Sequence, residues 1–294
     1  MSLFALLGGI ESGLIYAFVA VGVFLSFRVL DFPDLTVDGS FPLGAAVTAS
    51  LIVFGHWNPW AATLAGMLAG SIAGFLTAYF SVKWGILHLL SSILTMTALY
   101  SVNIRIMDGK ANLPLLNQDT VLTPFYGIGL NDEVVRPLFL AVIVVIVFAA
   151  LVWFLLSEQG LAMRATGANR RMSRAQGVGT DRQVIAGMML SNALVGLAGS
   201  LFAQTNGFAD VTMGTGTIVI GLAAVIVGET LIPSRHIWLK LLACIIGAVI
   251  YRLVIQFALS IDFLGLQASD LNLVTATLVL LALILPKLKQ KVFA

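Results

Sequence analysis

Apolar residues run along this chain in long blocks, with no sustained heptad period and no alternation. Blocks at 3–27, 40–55, 60–80, 85–105, 137–156, 184–204, 216–232, 237–259 and 271–286 approach or reach the roughly 20 residues a helix needs to cross a bilayer. The second and seventh are short and contain glycine. Both are candidates for broken or re-entrant helices, which membranes tolerate where the freed backbone is buried in protein. The expected fold is all-α, a polytopic membrane helical bundle of about nine spans in one transmembrane domain, 1–294.

Composition supports that reading. Hydrophobic residues make up 59% of the chain and charged residues 10%, with a mean hydropathy of +1.01. A soluble domain carries about 25% charged residues, so a soluble globular protein is excluded. The single cysteine, Cys244, lies inside an apolar block and leaves no disulfide framework. The first block has no basic segment before it and is too long for a signal-peptide core, so it is expected to stay as a membrane helix.

The charges are unevenly placed. Ser157–Arg182 is the longest basic segment, with Arg164, Arg170, Arg171, Arg174 and Arg182 against Glu158 and Asp181. Under the positive-inside rule it is cytoplasmic. Its glycines, Gly160, Gly167 and Gly177, with helix formers between them, predict one or two short helices joined by a turn. The remaining inner loops then hold Arg28, Lys83, Arg235, Lys240, Lys287, Lys289 and Lys291, so twelve of sixteen Lys and Arg residues share that side. Outer segments carry Asp108, Asp119, Asp132, Glu133, Asp262 and Asp270 instead. The predicted topology is N-out and C-in, with a long polar outer loop at Met107–Arg136.

A short motif occurs twice. Phe32, Asp34 and Thr36 match Phe208, Asp210 and Thr212 at a constant separation of 176 residues, and small residues follow at Gly44–Val47 and, allowing one inserted residue, Gly221–Ala224. The third block shifted by the same amount gives 236–256, almost the eighth. The first copy starts outside and the second inside, so the repeat has inverted topology: repeat one at about 1–106, a linking loop and span at 107–156, the cytoplasmic loop at 157–183, and repeat two at about 184–294. Inverted repeats place interrupted helices opposite one another near the midplane, where half-helix ends line a pathway. Asp34, Thr36 and Asp38 in the first copy, with Asp210 and Thr212 in the second, are the candidate helix-break or pathway residues. Asp is a good N-cap, and an ionised Asp at membrane depth must face protein or water.

Other chemistry is sparse. No G-x-x-x-x-G-K-[ST] occurs, so this polypeptide cradles no ATP phosphates. His56, His88 and His236 lack ligand spacing, and neither a metal site nor a catalytic residue is expected. Ser91, Ser92, Thr95, Thr97 and Ser101 make the fourth block hydroxyl-rich, ending at Asn103 and Arg105; such residues bond to neighbouring helices or line a path. Glu11 and Glu229 have the alternatives of interhelical bonding and proton relay, the second suiting an ion-coupled secondary transporter. Gly66, Gly70 and Gly74 form a close-packing face in the third block.

Phe32–Gly39 followed by Gly44-Ala-Ala resembles the break after the first core helix in permease subunits of ABC importers for branched-chain amino acids. The run Gly160, Arg164, Ala165, Gly167, Asn169, Ala175 and Gly177 is similar to their cytoplasmic coupling loop. The wording Phe-Pro-Asp-Leu-Thr-Val-Asp-Gly is closer to a branch linked with aromatic amino acids. The resemblance covers nearly the whole chain. It implies a permease subunit of the inner membrane, paired with a second protomer as a homodimer and surrounded by membrane lipid. It also implies an ATPase subunit that binds ATP and Mg, and an extracytoplasmic solute-binding protein; this chain binds no cofactor itself and no nucleic acid. Glu158, Gly160, Arg164, Ala165, Gly167, Asn169, Arg174 and Gly177 then serve ATPase coupling, the glycines allowing close packing and the arginines meeting acidic or carbonyl groups. An amino acid is the expected solute, with a nucleoside or sugar the alternative.

Overall fold

The computed structural model describes residues 3–126 and 132–259, together with 277 and 280. The rest of the ninth apolar block, 271–286, lies outside the described residues, as do Asp262, Asp270 and the lysines at 287, 289 and 291. Ten α-helices follow in order: α1 (Leu3–Val23), extended by a π-helical turn at Phe24–Val29, α2 (Val37–Val53), α3 (Pro59–Trp84), α4 (His88–Ile106), α5 (Asp132–Leu156), α6 (Glu158–Ala168), α7 (Arg170–Ala175), α8 (Thr180–Asn206), α9 (Thr217–Leu231) and α10 (Ile237–Leu259). Among the described residues, seven helical segments are long and apolar enough to cross a membrane; α2, at 17 residues, is shorter. Each of the first eight apolar blocks coincides with a helix, the eighth residue for residue.

The helix ends follow local chemistry. The Asn58 side chain accepts from the Trp60 N–H at the start of α3, Pro59 fills a position whose N–H is free anyway, and Gly85 ends the helix at φ 66°. The expectation of an all-α fold needs one correction. Two three-residue strands, β1 (Asn112–Pro114) and β2 (Phe208–Asp210), pair antiparallel, with Asn112 opposite Asp210. They tie the long polar loop after α4 to the segment after α8.

α1 and α8 run through the middle, each 78% buried over its apolar core, whereas α5 at 22% lies at the rim. Contacts between the halves are reciprocal: α8 packs on α2 and α3, and α1 packs on α9 and α10. Glycine makes the first of these possible. A Cβ on Gly70 would stand 2.3 Å from the Asn192 carbonyl oxygen, and one on Gly74 2.2 Å from that of Met188, so α3 and α8 touch backbone to backbone. Such small-residue faces drive helix association where lipid removes the hydrophobic incentive.

Candidate functional site

α1 ends where Asp31 takes a left-handed conformation (φ 53°) and turns the chain back. Residues 30–36 then return non-helically along the helix bundle, and α2 starts beside the middle of α8. The second half repeats the manoeuvre from the opposite end. After α8 the chain passes through β2 and a 3₁₀ turn at Val211–Gly214, then opens α9 at Gly216 (φ 80°). The two short helices therefore begin next to one another inside the bundle.

Asp38, in the first turn of α2, joins them. One carboxylate oxygen accepts from the Ile218 N–H at 2.7 Å and the other from the Gly216 N–H at 3.1 Å. Its charge sits between the positive ends of two helix dipoles, its own and that of α9. Pro42 has no N–H to offer the Asp38 carbonyl, which leaves that oxygen outside the α2 ladder. Close contact is enforced here as well: a Cβ on Gly214, 176 positions after Asp38, would lie 2.0 Å from the Asp38 carbonyl oxygen.

A cleft of about 230 Å³ opens beside this junction, lined by Asp38, Thr97, Tyr100, Asn103, Thr212 and Thr215. Asn103 donates to the Gly39 carbonyl at 3.4 Å, and its buried Oδ1 has no partner among the described residues. A larger groove of about 620 Å³ between α3, α5 and α8 is lined almost entirely by apolar side chains. It lacks the polar groups that would orient a solute.

The five candidate break residues divide three ways. Asp38 and Thr212 share the cleft. Asp34 and Thr36 are sealed inside: the Asp34 carboxylate accepts from the Thr36 N–H (2.8 Å) and Asn192 Nδ2 (2.7 Å), and the Thr36 hydroxyl meets that of Thr77 at 2.8 Å. Ser40 donates to Asn192 Oδ1, closing the cluster. Asp210 has the same local turn, accepting from the Thr212 N–H at 2.7 Å and from its hydroxyl, but it is partly exposed and takes a further bond from Asn112. Burial pushes its carboxyl up, yet the bonds from Thr212 and Asn112 outweigh that and hold it below the ordinary aspartate value.

The basic loop forms α6 and α7. Ser157 caps α6 and Asn169 caps α7. Gly160 and Gly167 face inward: a Cβ would stand 2.3 Å from the Phe154 carbonyl oxygen in the first case, and overlap the Val29 carbonyl oxygen at 1.8 Å in the second. Gly177 has φ 85° and open space around it. Arg170 and Arg174 both bond to Asp181, each at 2.9 Å. Glu158, Ala165, Asn169, Arg171 and Arg182 are exposed, and Arg164 is half-buried.

Several polar residues of the spans bond between helices. Gln204 reaches Thr63 and the Val121 N–H, Ser91 reaches the Thr77 carbonyl, and Glu229 pairs with Arg28. Arg252 is a group to which sequence reasoning gave no role. Its guanidinium lies 3.7 Å over the Tyr16 ring, which stacks on Phe41 of α2, and its Nε is buried without a partner among the described residues. A cation deep in an apolar helix was the available signal.

A bundle of membrane-length helices holds two abutting short helices, α2 and α9, beside a cleft that carries Asp38, Asn103 and Thr212, an arrangement suited to a membrane permease. The match to known proteins names its kind. Residues 5–285 fit the family described as branched-chain amino acid transport system, permease component, and the chain belongs to that family. It is 37% identical over 268 residues to the tyrosine transport system permease protein of Clostridioides difficile, covering 91% of this chain and 86% of that one. The ribose import permease protein RbsC of Escherichia coli is 26% identical over 93% of this chain and 83% of its own. The nucleoside ABC transporter permease protein NupC of Lactococcus lactis is 28% identical over 60% of this chain and 59% of its own. No solved structure matches the chain significantly. The protein is thus an ABC transporter permease, a multi-pass subunit of the inner membrane and a transporter rather than an enzyme; its family implies an ATPase partner.

Proposed function

We propose that this permease imports an amino acid, tyrosine or a close aromatic relative, as one of two identical protomers. In this reading the α6–α7 end faces the cytoplasm and meets the ATPase, which carries ATP and Mg. The opposite end, with β1 and β2, receives solute from an extracytoplasmic binding protein. The chain is a single domain of two inverted repeats, 1–106 and 184–294, joined by 107–156 and the coupling loop 157–183. The observation that carries the reading is the Asp38 junction: two short helices of opposite direction clasped beside a cleft that carries Asp38, Asn103 and Thr212, in a chain similar over nine-tenths of its length to a tyrosine permease.

The mechanism follows from those contacts. ATP-driven closure of the partner pushes on α6, which Gly167 seats against the end of α1. α1 carries α9 and α10 with it, while α8 carries α2 and α3. The halves rock about the Asp38 clasp, and the cleft opens to alternate sides.

Proteoliposomes containing the permease and its ATPase, supplied with the binding protein and ATP, should accumulate labelled tyrosine and stop when ATP is withheld. Accumulation driven by a proton or sodium gradient without the ATPase would establish an ion-coupled secondary transporter and defeat the reading. ATP-driven uptake of ribose or guanosine in place of tyrosine would keep the machine and replace its solute.

A further inference from the structure

Four cations converge on one cavity at the α6 end of the bundle. Arg28 in the π-helical turn after α1, Arg164 of α6, Arg235 in the α9–α10 connection and Lys240 of α10 line a space of about 420 Å³ together with Phe24 and Ile237. The one carboxylate lining it, Glu229, is already bonded to Arg28. Three positive charges therefore share a concave surface without a counter-charge among the described residues. Like charges focused in a cleft repel one another and draw in an anion.

The depth of the cavity narrows the choice of anion. Trp84, Trp153 and Trp238 are exposed at the same end, on α3, α5 and α10. Exposed tryptophans mark the level of lipid headgroups. Guanidinium forks match phosphate oxygens in pairs, and a cavity at headgroup level lies within reach of a lipid phosphate. We infer that this cavity holds the phosphodiester headgroup of an anionic phospholipid. The lipid bridges α6 to α1, α9 and α10, so the segment proposed to receive the ATPase stroke is seated partly on membrane.

The complete transporter, permease with ATPase, tests this after exchange into phosphatidylcholine nanodiscs with and without phosphatidylglycerol. Phosphatidylglycerol should copurify and raise the thermal midpoint. Arg235→Gln with Lys240→Gln should hold it about thirtyfold more weakly, at about fivefold per lost cation. The exchanged pair Arg235→Lys with Lys240→Arg, which keeps both charges, should retain it. Lys83→Gln with Arg171→Gln removes two cations at the same end outside the cavity and should change nothing. Equal loss from that control pair would overturn the site, leaving a diffuse basic surface. Full stabilisation by inorganic phosphate in detergent would overturn the lipid in favour of a free anion. Loss of the ATPase from the cavity variant with lipid retention unchanged would likewise overturn it, assigning the cavity to an acidic group of the partner.

Discussion

A carboxylate at the start of α2 accepts from two backbone N–H groups of another helix, and the cost of losing it depends on what those groups would face instead. In Asp38→Ala both donors of α9 lose their acceptor in a partly buried position, a destabilisation of roughly 1–3 kcal/mol. Asp38→Asn keeps one good acceptor and should fall between. Melting of the purified protein in detergent reads the difference, and an Asp38→Ala protein that melts with wild type would remove the clasp from the mechanism. Asp34→Ala should cost at least as much, because it strands the Thr36 N–H and one of the two Nδ2 hydrogens of Asn192 at full burial, the other being held by the Met188 carbonyl. Asp210→Ala should cost less, being partly exposed. Its folded-state pKa is depressed, so the bonds of Asp210 contribute stability above the ordinary aspartate value of 3.8 and lose it only as pH falls through a lower one. The likeness of Asp34 to Asp210 was legible in the sequence because both turns are made within three residues. The role of Asp38 was not, since its partners lie 178 and 180 positions away.

α6 shows how glycine register acts at the scale of an element. Gly167 lies against the Val29 carbonyl so closely that even a methyl group must move the helix. Gly167→Ala should insert and fold, because α6 lies outside the apolar helices, yet hydrolyse ATP without matching tyrosine uptake. A variant that transports at the wild-type rate would show that α6 need not rest on α1. Gly177→Ala is the useful contrast: its space is open, so only the left-handed backbone penalises it, by about 1 kcal/mol, and coupling should survive. The glycine spacing of the loop was readable as close packing, but not what it packs against. Gly66, Gly70 and Gly74 likewise announced a tight face, while the choice of α8 as partner depends on the whole chain. β1 and β2 were invisible beforehand: strands of three residues carry no period, and the residues they pair are about a hundred positions apart in the chain.

At the scale of the molecule everything rests on which end of the bundle meets the cytoplasm. The apolar blocks define helices without defining direction, and the arginines of α6 and α7 supply it. Substituted-cysteine labelling can read that direction because the natural Cys244 is buried and should stay silent. Asp119 in the loop between α4 and α5 and Arg171 on α7 are both exposed. A membrane-impermeant maleimide should label Asp119→Cys in intact cells and reach Arg171→Cys only after permeabilisation. The reverse pattern would put α6 and α7 on the side without ATP, where no ATPase subunit can push on them. The reciprocal packing of the halves would then still describe a permease, but the Asp38 clasp would have to be moved by something other than the coupling helix.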